Sequence, residues 1–140
     1  MPESDRAIID WSAFNRARTE LGTDFVRILG YFREDGVKAL TGIDRAMAER
    51  SAAMLVLPAH TLKGDAAQLG AKPLSELAER VEIAARECVE HHQSPTRVLS
   101  DVMRLRPLFE QSLAMLEQAA SPPVARRPTG FGRKTVFGRG

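Results

Sequence analysis

Residues 60–70 read His-Thr-Leu-Lys-Gly-Asp-Ala-Ala-Gln-Leu-Gly. Their apolar positions recur at three- and four-residue spacing and continue upstream, which predicts an amphipathic helix from near residue 51 to residue 70. At about 100° per residue, Leu55, Leu62, Ala66 and Leu69 lie on the side opposite His60. We therefore expect His60 on the outward face, with Lys63 and Gly64 beside it.

The same periodicity recurs on both sides of this segment and sets the fold class. It predicts four further helices: Trp11–Leu21, one capped by Thr23 or Asp24 with an apolar stripe from Phe25 to Met47, one from near Pro73 to about Glu90, and one from after Pro95 to about Ala120. No segment alternates convincingly between polar and apolar residues, so no sheet is expected. The predicted fold is an all-α, antiparallel four-helix bundle with a short extra N-terminal helix, within residues 1–120. Pro58 is expected to kink or restart its helix, and Pro107 to bend the last one.

Charge is distributed unevenly along the 140 residues. All 18 acidic residues precede Ser121, whereas five of the 20 basic residues follow it. With 15 basic and 18 acidic residues, the first 120 residues carry a net charge of −3. The sequence pI of about 9.0 is therefore a property of the C-terminal segment, and it does not indicate a nucleic-acid-binding body. Residues 121–140, basic and rich in proline and glycine, are predicted to be a disordered tail.

Composition also limits the location and the cofactors of the protein. The single cysteine, Cys88, excludes an internal disulfide and fits a reducing compartment. The charged N-terminal residues do not resemble a signal peptide. The sequence contains no run of 18 apolar residues, so insertion into a membrane is not predicted. A cytoplasmic location is therefore expected. No group of His, Cys or carboxylate residues has metal-ligand spacing, so neither a metal nor another cofactor is expected in this chain.

The outward face predicted around His60 has the properties of a phosphoryl acceptor. A histidine that attacks a phosphoryl group needs an exposed neutral Nε2, a nearby cation and room for the donor protein. His60, Lys63 and Gly64 supply these features in that order. Glycine in the middle of a helix costs about 1 kcal/mol relative to alanine, so Gly64 calls for a reason. Either a partner approaches closely there, or another helix crosses at this point.

These residues also carry a family resemblance. His60, Lys63, Gly64 and Gly70 match the H-x-x-K-G-x-x-x-x-x-G signature of histidine-containing phosphotransfer (HPt) domains, which the chain resembles over residues 10–120. The resemblance implies a four-helix bundle that passes phosphate between aspartates of receiver domains and has no kinase site of its own.

The resemblance also implies roles for two residues outside the signature positions. Glu82, on the following helix, would accept a hydrogen bond from Nδ1 of His60 and fix the reactive tautomer. Gln68 is a further candidate for a hydrogen bond at the site. Val56 and Ala67 flank His60, and they are expected either to form an apolar docking patch or to lie under the N-terminal helix.

The functional prediction is a monomeric phosphocarrier in a multistep His-Asp phosphorelay. His60 would accept a phosphoryl group from a receiver aspartate and pass it to another response regulator, with any Mg²⁺ held by the receiver domain. Two alternatives stay open. One is a binding module that sequesters a receiver domain without phosphotransfer. The other is a dimerisation domain derived from a histidine kinase, which would need two long helices and a dimer interface.

Overall fold

The computed structural model describes residues 8–120. Its helices are α1 (Trp11–Leu21), α2 (Phe25–Ala48), α3 (Ala52–Gln68), α4 (Lys72–Glu90) and α5 (Leu99–Ala120), with short 3₁₀ turns at Gly22–Asp24 and Pro95–Val98. The described residues contain no strand, which confirms the all-α prediction. The predicted tail over residues 121–140 lies outside the described residues.

Side-chain caps and a glycine set several of the helix boundaries. The Asp10 carboxylate accepts a hydrogen bond from the backbone N–H of Ala13, and α1 ends at Gly22. The Ser51 hydroxyl accepts from the backbone N–H of Met54 at 3.1 Å and so caps α3. Asp24 precedes α2 without capping it, because its carboxylate pairs with the Arg27 guanidinium at 2.7 Å.

The four long helices enclose one apolar core. The helix α3 packs most extensively against α4 and also against α2, while α5 packs against both α4 and α2, so these contacts close a ring. The core consists of buried aliphatic and aromatic side chains from all the helices, among them Phe14, Phe32, Leu55, Val81, Leu105 and Leu116. The shorter α1 packs against α2 and α3.

Gly70 connects the end of α3 to the segment before α1. Its φ of +86° lies in the left-handed region, and a Cβ there would come within 2.7 Å of the Asp10 carbonyl oxygen. The Asp10 backbone N–H in turn donates to the Gly70 carbonyl at 2.8 Å. The last glycine of the signature therefore has a structural role.

The two internal prolines do not interrupt their helices. The predicted restart at Pro58 is wrong, because α3 is continuous from Ala52 to Gln68. Pro58 lies against α2, where a Cβ on Gly42 would be 3.5 Å from the proline ring. Packing of α3 on both sides outweighs the hydrogen bond lost at the proline. Pro107 likewise lies inside an unbroken α5.

None of the helices between residues 8 and 120 combines the length and the apolar composition required to cross a membrane.

Candidate functional site

His60 lies in the middle of α3 and points away from the core. Of its side chain, 54% is exposed, whereas Leu55, Leu62 and Leu69 on the opposite side of the helix are buried. The outward orientation predicted from the helical period is therefore confirmed. The imidazole is available to a molecule that approaches the α3–α4 face of the bundle.

Glu82 lies on α4, directly across from His60. Its neighbours Ala78, Val81 and Ala85 form the buried apolar stripe of α4, and Glu82 stands at the edge of that stripe beside α3. Only 6% of the Glu82 side chain is exposed, and its Oε2 lies 3.0 Å from Nδ1 of His60. The tight packing of α3 against α4 thus produces the hydrogen bond that the family resemblance implied for Glu82.

Two cationic side chains contact the same carboxylate. The Lys63 ammonium lies 2.9 Å from Oε1 of Glu82. The Arg86 guanidinium donates to Oε2 through Nη2 at 2.9 Å and through Nε at 3.0 Å. We call His60, Lys63, Glu82 and Arg86 the carboxylate cluster. Sequence reasoning missed Arg86, although a glutamate followed four residues later by an arginine on one helix is a pairing signal.

The contacts in this cluster determine the ionisation of Glu82. Burial alone would raise the pKa of the Glu82 carboxyl, but its contacts with Lys63, Arg86 and His60 outweigh burial and lower the pKa from 4.5 to about 2. Glu82 is therefore a carboxylate at neutral pH. A carboxylate only accepts hydrogen bonds, so Nδ1 of His60 is the donor, and Nε2 of a neutral ring keeps its lone pair.

The remaining predicted residues differ in how they relate to His60. Gly64 is exposed, and apart from its chain neighbours and the backbone of its own helix no atom lies within 4 Å of the position that a Cβ would occupy, so no helix crosses there. Gln68 is exposed at the end of α3 and does not join the carboxylate cluster. Val56 is half-buried and packs against the core, whereas Ala67 is exposed rather than covered by α1.

The exposed side chains of α3 extend the face around His60. Leu57, one turn before His60, is 70% exposed, and Met54 is also exposed. On the other side of His60, the exposed Gly64 and Ala67 leave the surface without bulky side chains. The face is therefore apolar on one side of the imidazole and unobstructed on the other.

A family model for the Hpt domain matches residues 27–121, which is more than half of the chain. The chain belongs to the Hpt domain family. Nearly all of α2, the whole of α3, α4 and α5, and the carboxylate cluster fall within the match to the Hpt domain. Comparison with curated proteins and with solved structures gives no match. Hpt domains act in histidine phosphotransfer within His-Asp phosphorelays and interact with receiver domains.

Proposed function

We propose that His60 of this Hpt domain accepts a phosphoryl group from the aspartate of one receiver domain and passes it to another response regulator. The observation that supports this role is the exposed imidazole whose Nδ1 is hydrogen-bonded to the buried Glu82 carboxylate. That hydrogen bond holds the ring in one orientation and directs the lone pair of Nε2 outward.

The proposed transfer is an in-line displacement. The Nε2 lone pair of His60 forms a bond to phosphorus while the acyl phosphate bond breaks, and the electrons of that bond return to the receiver carboxylate. The ring keeps its Nδ1 proton, so the product is a phosphohistidine with imidazolium character. Glu82 stabilises that positive charge across 3.0 Å. Any divalent cation would be held by the receiver, and the chain is then a phosphocarrier without a kinase site of its own.

The face that surrounds His60 suits a receiver domain as its partner. Leu57 and Met54 provide exposed apolar area, and Gly64 and Ala67 allow a close approach to the imidazole. We infer that the four long helices run antiparallel, because short connections join consecutive helices that pack together. The monomeric state, the cytoplasmic location and the division into a bundle over residues 1–120 and a disordered tail stay predictions.

The experiment that tests this function is transfer from radiolabelled, phosphorylated receiver domains. His60→Gln is expected to abolish labelling of the full chain, because Gln has no nucleophilic ring nitrogen. His91→Gln is the matched control, since His91 is exposed at the end of α4. It should be labelled like the wild type.

Three results would contradict the proposal. Equal labelling of wild type and His60→Gln would exclude His60 as the acceptor. A wild-type chain that binds receiver domains but is never labelled would instead favour the sequestering module. Sedimentation of the wild type as a stable dimer would favour the kinase-derived dimerisation domain.

A further inference from the structure

The two oxygens of Glu82 are occupied unequally. Oε2 contacts both Nδ1 of His60 and the Arg86 guanidinium, whereas the contact recorded for Oε1 is the Lys63 ammonium at 2.9 Å. The lysine expected to attract the phosphoryl group is thus already paired with a buried carboxylate. Transfer to His60 brings a second anionic group into competition for the same ammonium.

The charges of the carboxylate cluster indicate how this competition ends. With a neutral His60, the cluster contains one carboxylate and two cations, and it carries a net charge of +1. Phosphorylation adds a doubly charged phosphoryl group and makes the ring cationic, so the net charge becomes zero. The positive net charge of the cluster therefore favours the incoming phosphoryl group. One of the two cations must then interact with both the Glu82 carboxylate and the phosphoryl group.

Lys63 is the cation able to move. It makes a single contact with Oε1 through a flexible stem, and 28% of its side chain is exposed. Arg86 instead holds Oε2 through two N–H groups from the same helix, one turn away. These two parallel N–H groups make the Arg86 guanidinium a more persistent partner of the carboxylate than a single ammonium contact. If Lys63 leaves, the buried Glu82 carboxylate keeps Arg86 and the His60 ring as its charged partners, and of these only Arg86 is a cation before the phosphoryl group has been transferred.

We propose that Lys63 exchanges its Glu82 partner for the phosphoryl group during transfer, and that Arg86 is a positioning residue that keeps Glu82 paired after the exchange. This role rests on the proposed phosphotransfer by His60. Arg86 then acts through Glu82 and Lys63 rather than by touching the phosphoryl group. Without Arg86, Glu82 would hold the Lys63 ammonium more tightly, and the exchange to the phosphoryl group, and with it the transfer, would be slower.

A double-mutant cycle between Arg86 and Glu82 tests this exchange. In single-turnover transfer from a phosphorylated receiver to the full chain, Arg86→Gln is expected to be slower by about tenfold, because the variant loses one charge-assisted contact. In the Glu82→Gln background, Arg86→Gln should have no further effect, because no carboxylate competes for Lys63. Arg86→Lys should restore only part of the rate, since an ammonium cannot donate both N–H groups in the same plane.

Two further measurements separate the exchange from a structural effect. Arg80→Gln is the matched control, because Arg80 is an exposed α4 arginine that pairs with Asp101 instead of Glu82; it should transfer at the wild-type rate. After phosphorylation by phosphoramidate, ¹⁵N spectra should show a shifted Lys63 ammonium signal and an unchanged Arg86 Nε–H signal. Circular dichroism verifies that each variant is folded.

The outcomes distinguish this inference from the proposed function. If Arg86→Gln slows transfer in the Glu82→Gln background by the same factor as in the wild type, Arg86 acts on the phosphoryl group itself and the proposed exchange is wrong. An unshifted Lys63 signal in a phosphorylated chain also overturns it. A wild type that no receiver and no phosphoramidate can label at His60 would instead overturn the proposed function.

Discussion

The α2–α5 interface and the α3–α4 face around His60 each contain a glycine in mid-helix, but the two glycines have opposite surroundings. At Gly36 of α2, a Cβ would lie 2.1 Å from the Phe109 ring of α5. At Gly64 of α3, no atom beyond the chain neighbours and the backbone of the same helix lies within 4 Å of the corresponding position. Glycine costs each helix about 1 kcal/mol relative to alanine. Packing inside the chain explains Gly36, whereas Gly64 has no such explanation.

The two regions also differ in where they place charge. Between α2 and α5, the Phe32 and Phe109 rings pack with centroids 5.3 Å apart, and the pair Arg106–Asp44 is exposed to solvent. On the His60 face, the Glu82 carboxylate is buried and surrounded by donors. One interface is thus complete within the described chain. The other combines a buried charge with an open surface, which is the arrangement expected where a partner docks.

Replacing Glu82 by Gln is expected to have the largest effect on stability. A carboxyl whose pKa is lowered by folding adds stability above its ordinary pKa and loses it as the pH falls toward the lowered value. For Glu82 this pH window extends from 4.5 down to about 2. The difference between these two pKa values corresponds to about 3 kcal/mol of stability. Urea unfolding should show a wild type that is more stable than the variant at neutral pH, with a difference that shrinks through this window.

A matched control separates the cluster from net charge. Glu79→Gln removes one negative charge from the exposed face of the same helix. If Glu79→Gln lost as much stability as Glu82→Gln, the net charge of the protein and not the carboxylate cluster would explain the result.

Gly36→Ala is expected to have the next largest effect. The added methyl group overlaps the Phe109 ring, and overpacking of this kind costs about 1–3 kcal/mol, partly offset by the higher helix propensity of alanine. Thermal and urea unfolding should therefore show a net loss of up to about 2 kcal/mol.

Combination with Phe109→Leu tests the cause of that loss. If the ring is what the methyl group meets, the double variant should lose less stability than the sum of the two single variants. Additive losses would mean that Gly36 is required for another reason.

The sequence predicted those features that depend on a single helix. The period of α3 placed His60 outward and Leu55 and Leu62 inward, and both are confirmed. This prediction succeeded because a helix fixes the direction of each side chain from its own spacing. Glu82 was reached differently, through the family resemblance, and the structure brings its Oε2 within 3.0 Å of Nδ1 of His60.

Features that depend on contacts between helices could not be predicted in the same way. Pairing of Lys63 with Glu82 depends on the rotamer of a long side chain and on the depth of the carboxylate between α3 and α4. The importance of Arg86 depends on the burial of Glu82, which the sequence alone does not show. The expected restart of the helix at Pro58 was wrong because local propensity omits the packing of α3 against its two neighbours.

Gly64→Ala is expected to have the smallest effect on stability and to separate stability from function. Because a Cβ at this position meets no atom, the variant should gain about 1 kcal/mol from helix propensity, and Gly30→Ala on α2 should gain the same amount. Only the Gly64 variant places its methyl group beside His60, so only that variant should accept phosphate from a receiver more slowly. Urea unfolding and single-turnover transfer measure the two quantities. Equal transfer rates in both variants would mean that the open surface at Gly64 is not required by the partner.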